Sequence, residues 1–166
     1  MAEYWDVYDR NRVLTGKTIK RGNPFGENEF YVCCEVWIVN SKNQMLVTQR
    51  HPDKKAGGQW EFTGGGVLAG ETTLLAAARE VKEELGVRLD ETEFELHEVY
   101  KRRNYFMDIY VVRKDFKDEE IILDKNEVVD WTWLSKSEIE QFIETGKMVR
   151  SVGIRYNMFG MNLMGN

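Results

Sequence analysis

Three glutamates, Glu80, Glu83 and Glu84, stand at spacings i, i+3 and i+4 in a stretch whose pattern predicts a helix from Thr72 to Leu85. That spacing puts all three carboxylates on one helix face. Like charges so close repel one another, and a hard divalent cation relieves the repulsion. Mg²⁺ in particular keeps part of its water shell and bridges protein carboxylates to substrate phosphates. On its own, such a trio is more often a solvated surface than a metal site, so its surroundings decide. Leu74, Ala78, Val81 and Leu85 fall on another side of the same helix, so the glutamates are not needed to make it amphipathic.

Several elements must position this helix. Tyr31 to Val39 is β-branched and aromatic, without Gly or Pro, and reads as a strand covered on both faces. Asn40-Ser-Lys-Asn43 reads as a turn, and Met45 to Gln49 as a second strand antiparallel to the first, because the connection is short. A polar loop from Arg50 to Gly58 leads to an extended segment, Trp60 to Thr63, which runs into Gly64-Gly65-Gly66 ahead of the helix. Gly86 supplies the helix stop. Downstream, Phe94 to Tyr100, Tyr105 to Val112, Ile121 to Leu123 and Val128 to Leu134 read as strands. Ser135 with Glu138 makes a capping box before a second helix, with Ile139, Phe142 and Ile143 on its apolar side as far as Gly146. Mixed strands with two helices imply one α/β or α+β layered domain, preceded by a β-rich extension of about residues 1–28 whose Gly and Pro positions suggest hairpins or loops. The tail from Tyr156 to Asn166 has no clear pattern.

Read outward from the glutamates, the segment is Gly65-x5-Glu71-x7-Arg79-Glu80-Val81-x-Glu83-Glu84-x-Gly86-Val87, and it resembles the signature of the Nudix hydrolases at every defined position. The resemblance implies an α/β/α sandwich around a mixed β-sheet. It also implies a Mg²⁺- or Mn²⁺-dependent hydrolase in which water attacks phosphorus in a diphosphate linkage of a nucleoside diphosphate derivative or similar small molecule. Carried over by position, it makes Glu80, Glu83 and Glu84, with the Gly64 carbonyl, the metal ligands. Arg79 would orient Glu80, and Glu80 is the first candidate for the base that takes the proton of the attacking water. Glu84 belongs to the same catalytic set. Glu127, in Asn126-Glu-Val-Val-Asp-Trp-Thr-Trp-Leu134, resembles the acidic position that often precedes the last strand and helix of the family, as a further ligand or the base. Glu98, Glu119 and Glu120 compete for that role. Glu71 either supports the loop or reaches the metal through water, and an acid favoured by the helix dipole is nearly as good a reading.

On the substrate side, Arg50, Lys54 and Lys55 cluster just before the motif strand, as a phosphate clasp or equally as a solvated loop. Lys101-Arg102-Arg103 is a second basic cluster between predicted strands. The five tryptophans include candidates for stacking a base, though core packing accounts better for most. The segments around Trp5, Arg21-Gly22, Val36-Trp37-Ile38 and Lys54-Lys55 also resemble a Nudix branch related to isopentenyl-diphosphate isomerase. Those isomerases use a cysteine just after the matching tryptophan and a histidine-rich metal site, whereas Trp60 to Glu71 contains neither Cys nor His. A silent nucleotide- or protein-binding module is the other alternative, and such modules usually lose glutamates that are all present here.

The remaining composition bounds the setting. With 28 acidic and 23 basic residues the net charge is -5, which argues against an extended nucleic-acid surface. The chain has neither a basic and apolar leader at its N-terminus nor an apolar run long enough to cross a bilayer, so a cytoplasmic location is expected. Cys33 and Cys34 are strand neighbours pointing to opposite faces, which predicts free thiols rather than a disulfide or zinc site. Homodimerisation is common in relatives of this kind, and a dimer is the expectation.

Overall fold

The computed structural model describes residues 2–164. The N-terminal segment forms an antiparallel hairpin of β1 (Tyr4–Tyr8) and β2 (Leu14–Lys20). A mixed seven-stranded sheet follows, built from β3 (Tyr31–Val39), β4 (Met45–Arg50), β5 (Trp60–Glu61), β6 (Thr63–Gly66), β7 (Glu95–Lys101), β8 (Tyr105–Arg113) and β9 (Val128–Leu134). The helices are α1 (Thr73–Leu85), α2 (Lys136–Glu144) and α3 (Arg150–Arg155), the last running into a π-helical turn, Tyr156–Gly160.

Period-2 alternation in β3 builds two cores. Val32, Cys34, Val36 and Ile38 face α1, where Ala76, Ala77, Val81 and Leu85 meet them. Trp37 and Val39 face the other way, onto Ile139 of α2, Val152 of α3 and Tyr156. Each large apolar side chain so buried contributes about 1.5–3 kcal/mol, and the two layers make the sheet the middle of an α/β/α sandwich. Parallel β8 runs beside the whole of β3, from Tyr31 opposite Tyr105 to Val39 opposite Arg113.

The other edge of β3 is divided, and this creates the cleft. Only Val39 pairs with Met45 of β4, antiparallel as the sequence implies. Beyond that point β6 takes the edge, pairing Cys33 to Val36 with Gly66 to Thr63, while β4 turns away to pair with β9 and β5. The glycine run is thus a strand rather than a loop.

The sequence reading fails at Ile121 to Leu123. This apolar triplet is no strand. Its backbone instead straps the end of α1, with Ile122 N–H donating to the Leu85 carbonyl at 2.8 Å and Asp124 N–H to that of Glu84 at 3.3 Å. The orphan carbonyls of a helix end need donors, and Ile122 and Asp124 satisfy two of them. The expectation of two helices was also short by one, because α3 and the π turn carry no cap or strong period. Among the described residues no helix is long and apolar enough to cross a membrane.

Candidate active site

Helix α1 begins at Thr72, whose hydroxyl accepts from Leu75 N–H, and stops at Gly86 in the left-handed region (φ 71°). Its glutamate face points across the opening in the sheet at β6. Three consecutive glycines make that approach possible. A β-carbon on Gly64 would fall 2.3 Å from the Cys34 carbonyl oxygen, one on Gly65 2.2 Å from Oε1 of Glu80, and one on Gly66 2.7 Å from the Trp5 ring. Any side chain there would displace a strand, a carboxylate or the hairpin.

Arg79 organises the motif. Its Nε and Nη2 form a fork on Glu71 at 2.9 and 3.0 Å, Nη1 donates to Glu80 at 2.7 Å and Glu83 at 3.1 Å, and Nη2 also reaches the Gly66 carbonyl at 3.0 Å. Glu71 in turn accepts from Leu68 N–H at 3.0 Å. Here Glu71 supports the loop and clamps Arg79. Among the described residues no three acidic, His or Cys side chains converge into a finished metal cage; Arg79 holds Glu80 and Glu83 in its place.

Glu84 departs from the sequence reading. The helix pattern sets it apart from the apolar side, yet it is only 6% exposed and lies among the buried residues of α1. The reason is tertiary: β6 and the strap after Gly86 close over the boundary of the glutamate face. Its Oε2 is buried without a hydrogen-bond partner. Burial first, then the negative fields of Glu61 and Glu80, hold its pKa well above the ordinary carboxylate range. Burial also raises Glu80, against the opposing pull of Arg79.

The cleft also carries cations. Arg50 pairs with Glu61 and Lys54 with Glu127, and Arg50, Lys54, Glu127, Gly64, Glu80, Glu83 and Glu84 line one cleft. Burial lowers the Lys54 pKa. Glu127 reaches the cleft because its carbonyl accepts from His51 N–H at 3.1 Å and because the strap fixes the segment before it to α1. Lys55 does not line the cleft; it is exposed and gives its carbonyl to Arg50 Nε at 2.8 Å. Glu119 and Glu120 lie exposed in a 3-10 turn, and Glu98 caps Val99 on β7, all away from the cleft. The 101–103 cluster is elsewhere too: Lys101 bonds the Arg10 carbonyl, Arg102 the Tyr100 hydroxyl, and Arg103 borders a separate depression by Phe25.

Three residues at the site escaped the sequence reading. Glu61 is a half-buried carboxylate whose pKa burial raises in spite of Arg50; the local signal was an acid between Trp60 and Phe62, immediately before the glycines. Glu3 and Arg21 also line the cleft, brought there by the N-terminal hairpin; Arg21 stood out only in the resemblance to the isomerase-related branch, with no site role, and nothing in the local sequence of Glu3 links it to the motif.

Of the tryptophans, Trp37 is fully buried, Trp60 packs near Phe142, and Trp131 and Trp133 pack edge to face beside the α1 core. Trp5 stacks on Tyr31 at 4.8 Å between ring centres. Cys33 and Cys34 are free thiols, and burial pushes both pKa values up, that of Cys33 to about 12.

Comparison with known proteins supplies the context. A model described as the NUDIX domain matches residues 32–152. The chain is 35% identical over 149 residues to the uncharacterized Nudix hydrolase lmo0368 of Listeria monocytogenes, covering 89% of this chain and 88% of that protein. It is 31% identical to Nudix hydrolase 3 of Arabidopsis thaliana, over 85% of this chain but 20% of the plant protein. Its fold is similar to that of DR0079 from Deinococcus radiodurans, with a TM-score of 0.82, 22% identity, and coverage of 95% of this chain and 99% of the other. It is also similar to a bifunctional NMN adenylyltransferase/ADP ribose pyrophosphatase from Francisella tularensis, complexed with AMP and a Mn ion, with a TM-score of 0.64, 19% identity, and coverage of 82% of this chain and 42% of that one.

Proposed function

We infer the reaction from one premise: the chain belongs to the NUDIX domain family and is a Nudix-type diphosphate hydrolase. We propose that it cleaves the diphosphate linkage of a nucleoside diphosphate derivative or a similar small molecule, with Mg²⁺ or Mn²⁺, by water attack on phosphorus. The hairpin outside the matched residues is read as an extension of the same domain.

The observation that carries this reading is a shared cleft. Glu80, Glu83 and Glu84 line it together with Arg50 and Lys54. The donor set fits a hard divalent cation, because Glu84 Oε2 is a buried carboxylate oxygen with no hydrogen-bond partner and a buried charge demands a counter-charge. Glu80, Glu83, Glu84 and the Gly64 carbonyl would hold it. Bound there, the ion supplies neutralisation of phosphate charge and acidification of water.

The chain's own residues do the rest. Arg50 and Lys54 hold phosphate oxygens in the cleft they share with the glutamates. Glu80, seated against Gly65 and fixed by Arg79, takes the proton of the attacking water, and Glu127 at the cleft's far side is the alternative base. One phosphorus–oxygen bond forms from water while the bridging bond breaks, leaving two phosphorylated products or a phosphorylated product and phosphate. The isomerase-like alternative finds no support in the thiols, because Cys33 and Cys34 do not line the cleft and burial keeps them protonated.

The test is phosphate or nucleotide release from a panel of nucleoside diphosphate derivatives and isopentenyl diphosphate, with Mg²⁺, with Mn²⁺ and with chelator. Metal-dependent cleavage that Glu84→Gln abolishes is the expected result. Isomerised isopentenyl diphosphate, or turnover indifferent to chelator and to the substitution, overturns it.

A further inference from the structure

The N-terminal hairpin lies outside the motif yet closes one side of the cleft, and it is firmly attached. Ala69 N–H donates to the Tyr4 carbonyl at 2.8 Å and Gly70 N–H to Asp6 at 2.7 Å, both in the loop before α1. At the far end Arg12 makes a fork on Asp108 of β8, with both bonds at 2.6 Å. Between these anchors Trp5 lies against Gly66. Arg21, just past the end of β2, is therefore delivered to the rim of the cleft by a rigid element.

Four cations line the cleft, and Arg21 is the least constrained of them. Arg79 is saturated by Glu71, Glu80, Glu83 and the Gly66 carbonyl, Arg50 is held by half-buried Glu61, and Lys54 by Glu127. Among the described residues Arg21 has one ion-pair partner, Glu3 at 2.6 Å, and both are well exposed, at 60% and 44% of their side chains. An ion pair in water holds its members weakly. The guanidinium also sits 5.8 Å from the centre of the Trp5 ring, which orients it without using its hydrogen bonds.

We propose that Arg21 is a further substrate-anchoring residue of this cleft, beside Arg50 and Lys54. Its guanidinium exchanges the Glu3 carboxylate for oxygens of the substrate diphosphate while remaining over Trp5. A planar fork suits two phosphate oxygens as well as it suits a carboxylate, and the exchange leaves no buried charge unpaired because Glu3 stays in water. The inference rests on the diphosphate reading above, and the experiment separates the two.

The probe is inorganic pyrophosphate in Mg²⁺, its binding followed by calorimetry for wild type, Arg21→Ala, Arg21→Lys and Lys17→Ala. Exposed Lys17 on the same hairpin pairs with Glu29 and does not line the cleft, so it controls for loss of hairpin charge. Arg21→Ala is expected to weaken binding about tenfold or more, Arg21→Lys to recover part of it as a point charge without the fork, and Lys17→Ala to stay within about twofold. Thermal melts check that all variants fold. In turnover of the best substrate, KM should rise in Arg21→Ala with kcat little changed, as for an interaction made equally in ground and transition states. Pyrophosphate affinity and KM both unchanged in Arg21→Ala, with wild type active, overturn the anchor and leave the hydrolase standing. Arg21-dependent pyrophosphate binding by a wild type that cleaves no member of the panel supports the anchor and sinks the hydrolase reading.

Discussion

Trp5 and Gly66 meet so closely that a β-carbon on the glycine would fall 2.7 Å from three atoms of the indole. The N-terminal hairpin is thereby seated directly on the strand that forms the floor of the cleft. Gly66→Ala should push the indole away and cost about 1–3 kcal/mol, the usual range for overpacking. The check is a double-mutant cycle with Trp5→Ala in chemical denaturation: the double variant should lose clearly less than the sum of the single losses. Additive losses would mean the two residues do not act on each other.

Glu84 is expected to separate stability from activity. Its buried oxygen has no hydrogen-bond partner, and burial beside Glu61 and Glu80 disfavours its charged form. Glu84→Gln should therefore raise the stability of the chelator-treated protein, by on the order of 1–3 kcal/mol, while removing activity. Thermal melts in chelator decide it; a variant less stable than wild type would show that the carboxylate is satisfied in the metal-free protein.

Behind the cleft, Glu35 and Arg155 form a buried ion pair, 3% and 5% exposed, which Trp37 Nε1 supports with a 2.8 Å bond to Glu35. Arg155→Leu strands a carboxylate in the core and should cost about 3–5 kcal/mol, whereas replacing both partners by leucine should recover most of that. Urea titrations of both single variants and the double variant read the outcome.

Helix α2 offers a pH test remote from the site. Glu138 accepts from the Ser135 hydroxyl and backbone N–H, both at 2.7 Å, and these bonds lower its pKa, the hydroxyl contributing more. A carboxylate with a depressed folded-state pKa stabilises above its unfolded value, and loses that stabilisation as pH falls through the folded one. The stability gap between wild type and Glu138→Gln should therefore be present at neutral pH and vanish in acid. A gap of constant size from neutral pH to below the ordinary carboxylate range would refute the capping assignment.

The reaction class was legible from one contiguous segment. Its helix, its stop at Gly86 and the spacing of Glu80, Glu83 and Glu84 are short-range properties, fixed by 3.6-residue periodicity and by steric rules acting within a few residues. The strands of the sheet other than the glycine strand β6 were legible for the same reason, and so was the capping box of α2. What local pattern could not convey was where remote segments meet. Ile121 to Leu123 has the composition of a strand, but the free carbonyls at the end of α1 claim the N–H groups of Ile122 and, just beyond, Asp124 instead. Glu84 reads as a solvent-facing charge until β6 and that strap bury it. Glu61 reads as one acid among aromatics until β4 brings Arg50 against it. Arg21 and Glu3 join the cleft only because a hairpin remote in sequence rests on Gly66 through Trp5, and such a contact depends on the shapes of both surfaces together. The chemistry was written in the sequence of one helix and loop; which other side chains surround it was decided by tertiary packing.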